Sequence, residues 1–295
     1  MGLPLTPSER TKRRMNQPHT APLLFDRALL RARQARALKQ GADTFLLDRV
    51  IEDMSDRLQA VLRQFSNGVD VASPGASLTD MLKGRVTSLV HVDVPDDESE
   101  GLGLTPASLD LAISALGLHL VNDLPGAMAQ LRRALKPDGF LIAALLGGDT
   151  LTELRQSFAA AEAELEGGIS PRVAPMADLR DIGALLQRAG FALPVTDVDS
   201  VIVRYGSAFA LMQDLRRMGA TNILMERRRT PLRRATLLRM AQIYSERFAD
   251  PDGRIRATFD IIWLSGWAPH ESQQKPLKPG SARASLAEAV RGIKP

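Results

Sequence analysis

Three side chains stand where the local sequence offers chemistry. His119 comes shortly after an apolar run at 109–113, and an imidazole at the end of a strand can serve as a general base or orient a substrate group. No partner for it is visible in the sequence, which favours the plainer reading of a packed or hydrogen-bonded loop histidine. Asp149 and Glu153 follow a second apolar run, 140–146, and stand one helical turn apart. Carboxylates at that spacing can face the planar fork of a guanidinium. Taken singly, each has a stronger local role: Asp149 as a helix cap, Glu153 as a favourable first-turn charge. Gly147 and Gly148 weigh against the local role, because two glycines let a ligand approach the backbone closely.

A basic stretch holds Arg227, Arg228, Arg229, Arg233 and Arg234. It can dock an acidic protein surface or an anionic membrane, and it can equally be a solvated face. Aromatic residues do not interleave with these arginines, so nucleic acid is not an expected partner. Trp263 and Trp267 read as packing residues. The 295 residues include no cysteine, which excludes disulfides, thiolate catalysis and cysteine-ligated metals in this chain. The four histidines lie at 19, 91, 119 and 270, without metal-ligand spacing, so no metal is expected. The formal net charge of +4 is too small to name a partner by itself. No run reaches the apolar length of a membrane span, and no apolar segment follows the N-terminal basic residues as a secretory signal requires.

The elements that position these residues alternate in type. The runs at 109–113 and 140–146 suit strands covered on both faces. Between them Met128, Leu131 and Leu135 mark a helix, with Asp123 as its N-cap and Pro125 in its first turn. Lys136, Pro137 and Gly139 mark its end. That is a right-handed βαβ crossover. Residues 68–72 and 87–92 read as the two preceding strands, and helices are expected over 23–40 and 44–65, leaning on the sheet. Further helices are expected over 151–166, 177–189, 208–218 and 235–248. Strands are expected over 191–205 and 258–267. Residues 1–22 read as a disordered leader, 23–271 as the domain and 272–295 as a tail.

Ser108-Leu109-Asp110-Leu111-Ala112-Ile113-Ser114 resembles the fourth-strand motif of class I S-adenosylmethionine-dependent methyltransferases. Leu135-Lys136-Pro137-Asp138-Gly139-Phe140-Leu141 resembles their turn into the fifth strand. The resemblance implies an α/β fold, a Rossmann-like doubly wound sheet with extra helices. Only fourteen residues separate Asp93 from Ser108, too few for the family's helix and third strand, so the first half is shortened. It also implies S-adenosylmethionine as cofactor, with Ala72, Ser73, Gly75, Asp93 and Ser114 at its site. Asp93 would receive the ribose hydroxyls. In that family a G-x-G-x-G loop follows the first strand, and here Ala72, Pro74 and Ala76 occupy the glycine positions. Proline offers no N–H and a fixed φ.

Gly147-Gly148-Asp149-Thr150 and Gly266-Trp267-Ala268-Pro269-His270-Glu271-Ser272-Gln273 narrow the likeness. They resemble the methyltransferase-like complex I assembly factors that act as protein-arginine hydroxylases, and less closely the malonyl-carrier-protein O-methyltransferases. The first resemblance implies a client subunit of respiratory complex I as partner. It also implies a bacterial cytoplasmic or mitochondrial-matrix location, with peripheral membrane contact through the basic stretch. The altered loop favours client binding with weak cofactor use over active methyl transfer.

Overall fold

The computed structural model describes residues 23–95 and 101–274. The expected leader, the acidic residues at 96–100 and most of the expected tail lie outside the described residues. The chain runs α1 (Arg27–Lys39), α2 (Phe45–Ala60), β1 (Phe65–Val71), α3 (Ser77–Met81), β2 (Val86–Val92) and β3 (Leu109–Ala115). A 3-10 turn (Leu118–Leu120), α4 (Leu124–Ala134), β4 (Leu135–Gly147), α5 (Thr152–Leu165) and α6 (Leu179–Arg188) follow. The last elements are β5 (Ala192–Tyr205), α7 (Ala208–Arg217), α8 (Arg234–Phe248) and β6 (Ile255–Trp267).

The strands form one sheet in the order β2-β1-β3-β4-β6-β5. β1 to β4 are parallel, and β6 runs antiparallel to both β4 and β5. Alternation along each strand divides the apolar residues between two layers. Leu111, Ile113, Phe140, Ile142 and Trp263 face α2, α5, α7 and α8. Ala112, Leu141, Ala143, Ile262 and Leu264 face α4 and α6. Between β2 and β3 the described residues form no strand, which leaves β2 at the sheet edge and the first half short, as the spacing implies.

Local signals explain most boundaries. The Asp123 carboxylate accepts from the Gly126 amide at 2.8 Å and caps α4, with Pro125 in its first turn. The expected turn at 136–139 is instead a bulge within β4: Leu109 pairs with Leu135, but Leu111 pairs with Phe140. The second helix stops at Ala60 rather than 65, because Phe65 is needed to start β1 and stacks on Phe140 at 6.3 Å. Nor does α1 lean on the sheet. Its Leu30 joins Phe25, Ile223 and Leu224 in a small cluster of their own.

Candidate functional site

β1 lies between β2 and β3, so the direction of winding reverses at its C-terminal end. In open α/β sheets ligands bind in the crevice at such a point. Three segments border it here: 72–76 after β1, Asp93 and Val94 after β2, and 116–120 after β3.

A chain of polar groups links the three strand ends. The Ala115 amide donates to Ser73 Oγ at 2.8 Å, and that hydroxyl donates to Asp70 Oδ1 at 2.5 Å. Asp70 Oδ2 meets His91 Nδ1 at 2.9 Å, and His91 Nε2 stands 3.6 Å from Asp93 Oδ1. Asp70 and Ser73 are buried, whereas Asp93 is exposed. Burial raises the Asp70 pKa, and the hydrogen bonds from Ser73 and His91 oppose that rise. Ser114, also buried, donates to the Val71 carbonyl at 2.7 Å. Of the five residues carried over as cofactor-binding, Ser73 and Ser114 therefore point their hydroxyls into the protein. Sequence reasoning missed Asp70 and His91. The available signal was an acid set between two valines, Val69 and Val71, inside a strand.

The backbone of the loop after β1 keeps a tight shape without the glycines. Ala72 takes a φ of 58° and Gly75 one of 71°. At Ala72 this left-handed backbone carries strain that glycine would not. Opposite it, a Cβ on Gly117 would stand 2.2 Å from the Ala72 carbonyl oxygen. The loops after β1 and β3 therefore touch, backbone to backbone, through Gly117.

His119 lies in the 3-10 turn bordering the crevice. Its Nδ1 is buried, and no described group hydrogen-bonds it. Burial holds its pKa down at about 4, so the ring is neutral near pH 7. Beside it, Arg27 reaches in from α1: Nη1 donates to the Leu120 carbonyl and Nη2 to the Val94 carbonyl, both at 3.0 Å. Arg27 is buried. Because β1 lies between β2 and β3, this bridge passes over the C-terminal end of β1.

Asp149 and Glu153 do not form a shared site. Glu153 is buried, and its two oxygens accept from Thr258 Oγ1 at 2.5 Å and the Thr258 amide at 3.1 Å, pinning α5 to β6. The exposed Asp149 does not supply the side-chain cap; Leu151, at φ 53°, is the N-cap of α5. The protein itself uses the approach that the two glycines allow. A Cβ on Gly147 would stand 2.2 Å from Ile262, and one on Gly148 would stand 2.5 Å from Asp260 Oδ2. That same oxygen accepts from the Asp149 amide at 2.7 Å.

The basic stretch is partly engaged inside the molecule. Arg227 pairs with Asp26 at 3.0 Å, Arg228 with Glu166 at 3.1 Å, and Arg233 reaches Glu166 at 3.6 Å. Two acids beside the helix ends, Asp26 and Glu166, thus engage part of the stretch, while Arg229, Arg233 and Arg234 stay exposed. A cavity of about 430 Å³ lies far from these groups, among residues such as Leu62, Phe65 and Val86 at the opposite, N-terminal edge of β1 and β2.

The methyltransferase domain family matches residues 48–143, which span β1 to β4 and the crevice. The Danio rerio protein named arginine-hydroxylase NDUFAF5, mitochondrial, is 37% identical over 286 residues, which cover 90% of this chain and 89% of that one. The chain belongs to the arginine-hydroxylase NDUFAF5 family. A malonyl-[acyl-carrier protein] O-methyltransferase of Laribacter hongkongensis is more distant, at 32% identity over 85% of this chain and 82% of its own. Among solved structures, a Bacillus halodurans protein assigned as a methyltransferase superposes with a TM-score of 0.51 at 14% identity. It covers 74% of this chain and all of its own, and it supports the class I methyltransferase fold.

Proposed function

We propose that this protein binds an arginine-bearing client subunit during assembly of respiratory complex I, and that S-adenosylmethionine serves it weakly. The family relationship supports the first part, since relatives 37% and 36% identical, covered over 89% and 83% of their length, carry the name arginine-hydroxylase. The geometry of the crevice supports the second. Ala72 and Gly117 meet across it, Ser73 and Ser114 are engaged internally, and Arg27 crosses its mouth. Asp93 alone of the carried-over side chains stands exposed at a strand end, where a ribose would lie. His119, neutral and with a buried nitrogen that no described group meets, is the side chain best placed to contact a client group there.

Among the described residues no helix is long and apolar enough to cross a membrane. The assembly step is assigned to the mitochondrial matrix or, in a bacterium, to the cytoplasmic side of the inner membrane. Deletion of the gene in its native host tests the reading. Complex I is expected to be depleted on native gels, and peptide mass spectrometry is expected to show loss of an oxygen-mass addition on one arginine. Normal assembly in the deletion strain contradicts it.

The more distant O-methyltransferase relative supports a second reading, methyl transfer to a carrier-bound acyl group. That reading requires firm S-adenosylmethionine binding, which calorimetry measures directly.

A further inference from the structure

The relation between Arg27 and the crevice goes further than closing it. The guanidinium takes up two acceptors, Leu120 O and Val94 O, contributed by the segments after β3 and β2. Both are backbone carbonyls of the segments that border the crevice, Val94 O just beyond β2 and Leu120 O in the 3-10 turn after β3. A fork of planar N–H donors with no acceptor of its own fits two such carbonyls, whereas an ammonium cannot span them in the same way.

The segment that carries Arg27 is held largely by polar ties, among them the Asp26 amide to the Ile223 carbonyl, the Met225 amide to the Leu24 carbonyl and Arg33 to the Asn222 carbonyl. Asp26 caps α1 through the Leu29 amide and pairs with Arg227. The Phe25 and Leu24 amides donate to Asn122 Oδ1 at 2.7 and 2.8 Å, and Phe25 forms a lone bridge with Leu224. The apolar anchor is the small cluster of Phe25, Leu30, Ile223 and Leu224, separate from both layers of the sheet. Elements held by a small satellite cluster open at lower free energy than core strands.

We propose that the slot between Val94 O and Leu120 O is a guanidinium-recognition site, filled by the chain's own Arg27 at rest and by a client arginine when α1 is displaced. Resting on the client-arginine reading above, this deepens it. Arg27 acts as an internal stand-in for the client residue, and the client must compete with it for the slot. A competitor tethered within the same chain reduces apparent affinity by the fraction of time it occupies the site. Lysine-bearing clients are rejected because they cannot fork.

The test uses the full-length protein with Arg27→Ala and Arg27→Lys, titrated calorimetrically with N-acetyl-arginine-amide and with N-acetyl-lysine-amide. The folded Arg27→Ala protein is expected to bind the arginine probe at least about ten-fold more tightly than the parent. It is expected to ignore the lysine probe and to gain thermal stability only from the arginine probe. Should Arg27→Ala fail to fold, Arg27→Lys keeps the charge and the stem, and the same preference for the arginine probe is expected of it. Equal binding by parent and variant, or failure of both variants to fold, means that Arg27 is a fixed structural pin and overturns the proposal. A deletion strain that loses complex I, alongside variants that gain no arginine binding, would sink the slot and leave the assembly reading standing.

Discussion

The Ser73 hydroxyl stands 2.5 Å from Asp70 Oδ1 and, at the same time, accepts the Ala115 amide at 2.8 Å. One small side chain thereby ties the loop after β1 to the C-terminal end of β3. Replacing it by alanine leaves a buried carboxylate and a buried amide short of a partner. Ser73→Ala is expected to destabilise the protein by about 1–3 kcal/mol, read from urea unfolding at constant m. An unchanged midpoint would mean that this brace carries no weight.

His119 gives the fold a pH dependence with a definite sign. Its folded pKa, about 4, lies below the ordinary 6.5, so the unfolded chain takes up its proton first as pH falls. The stability contribution is complete above about pH 6.5 and is lost progressively as pH falls toward 4. His119→Asn is expected to flatten the slope of unfolding free energy in that window. A slope identical to that of the parent would place the titration elsewhere.

The Ala72–Gly117 approach predicts opposite effects from two single-methyl changes. Gly117→Ala drives a Cβ against the Ala72 carbonyl, and an overpacked contact of this kind costs about 1–3 kcal/mol. Ala72→Gly removes a left-handed alanine and is expected to be neutral, or to stabilise by up to about 1 kcal/mol. Thermal unfolding of the two variants distinguishes them. If Gly117→Ala melts with the parent, the loops are not in contact.

Glu153 separates chemistry from architecture. Its carboxylate is consumed by Thr258, so Glu153→Ala strands a half-buried amide and hydroxyl and is expected to cost about 1–3 kcal/mol. A catalytic carboxylate would behave the other way, with lost client modification and an unchanged melting temperature.

Much of the fold was legible because the strands are apolar runs and the helices carry their own punctuation. Asp123 with Pro125 announces α4, and the residues between Asp93 and Ser108 are too few for another helix and strand. The bulge at 136–139 was not legible, because Pro137 and Gly139 mark a turn equally well whether the strand starts before or after them. The site was less legible than the fold. Asp149 and Glu153 are adjacent in helical spacing, yet β6 arrives from more than a hundred residues away and takes Glu153 for itself. Arg27 and His91 meet their partners only through long-range packing, 67 and 93 residues apart for Arg27 and 21 for His91, and no local pattern announces such a meeting. Acids at Asp26 and Glu166 likewise engage Arg227 and Arg228 of a stretch that composition alone reads as a surface patch.

The walls of the crevice are joined by the protein's own groups, which leaves little room for a cofactor. Calorimetric titration of the parent with S-adenosylmethionine tests this most directly, with an Ala72→Gly, Pro74→Gly, Ala76→Gly triple variant run alongside. The parent is expected to bind with a Kd weaker than about 100 µM, above about −5.5 kcal/mol, and the variant, with bare backbone restored, is expected to bind at least about ten-fold more tightly. Micromolar binding by the parent would contradict the account and make the protein a working user of the cofactor.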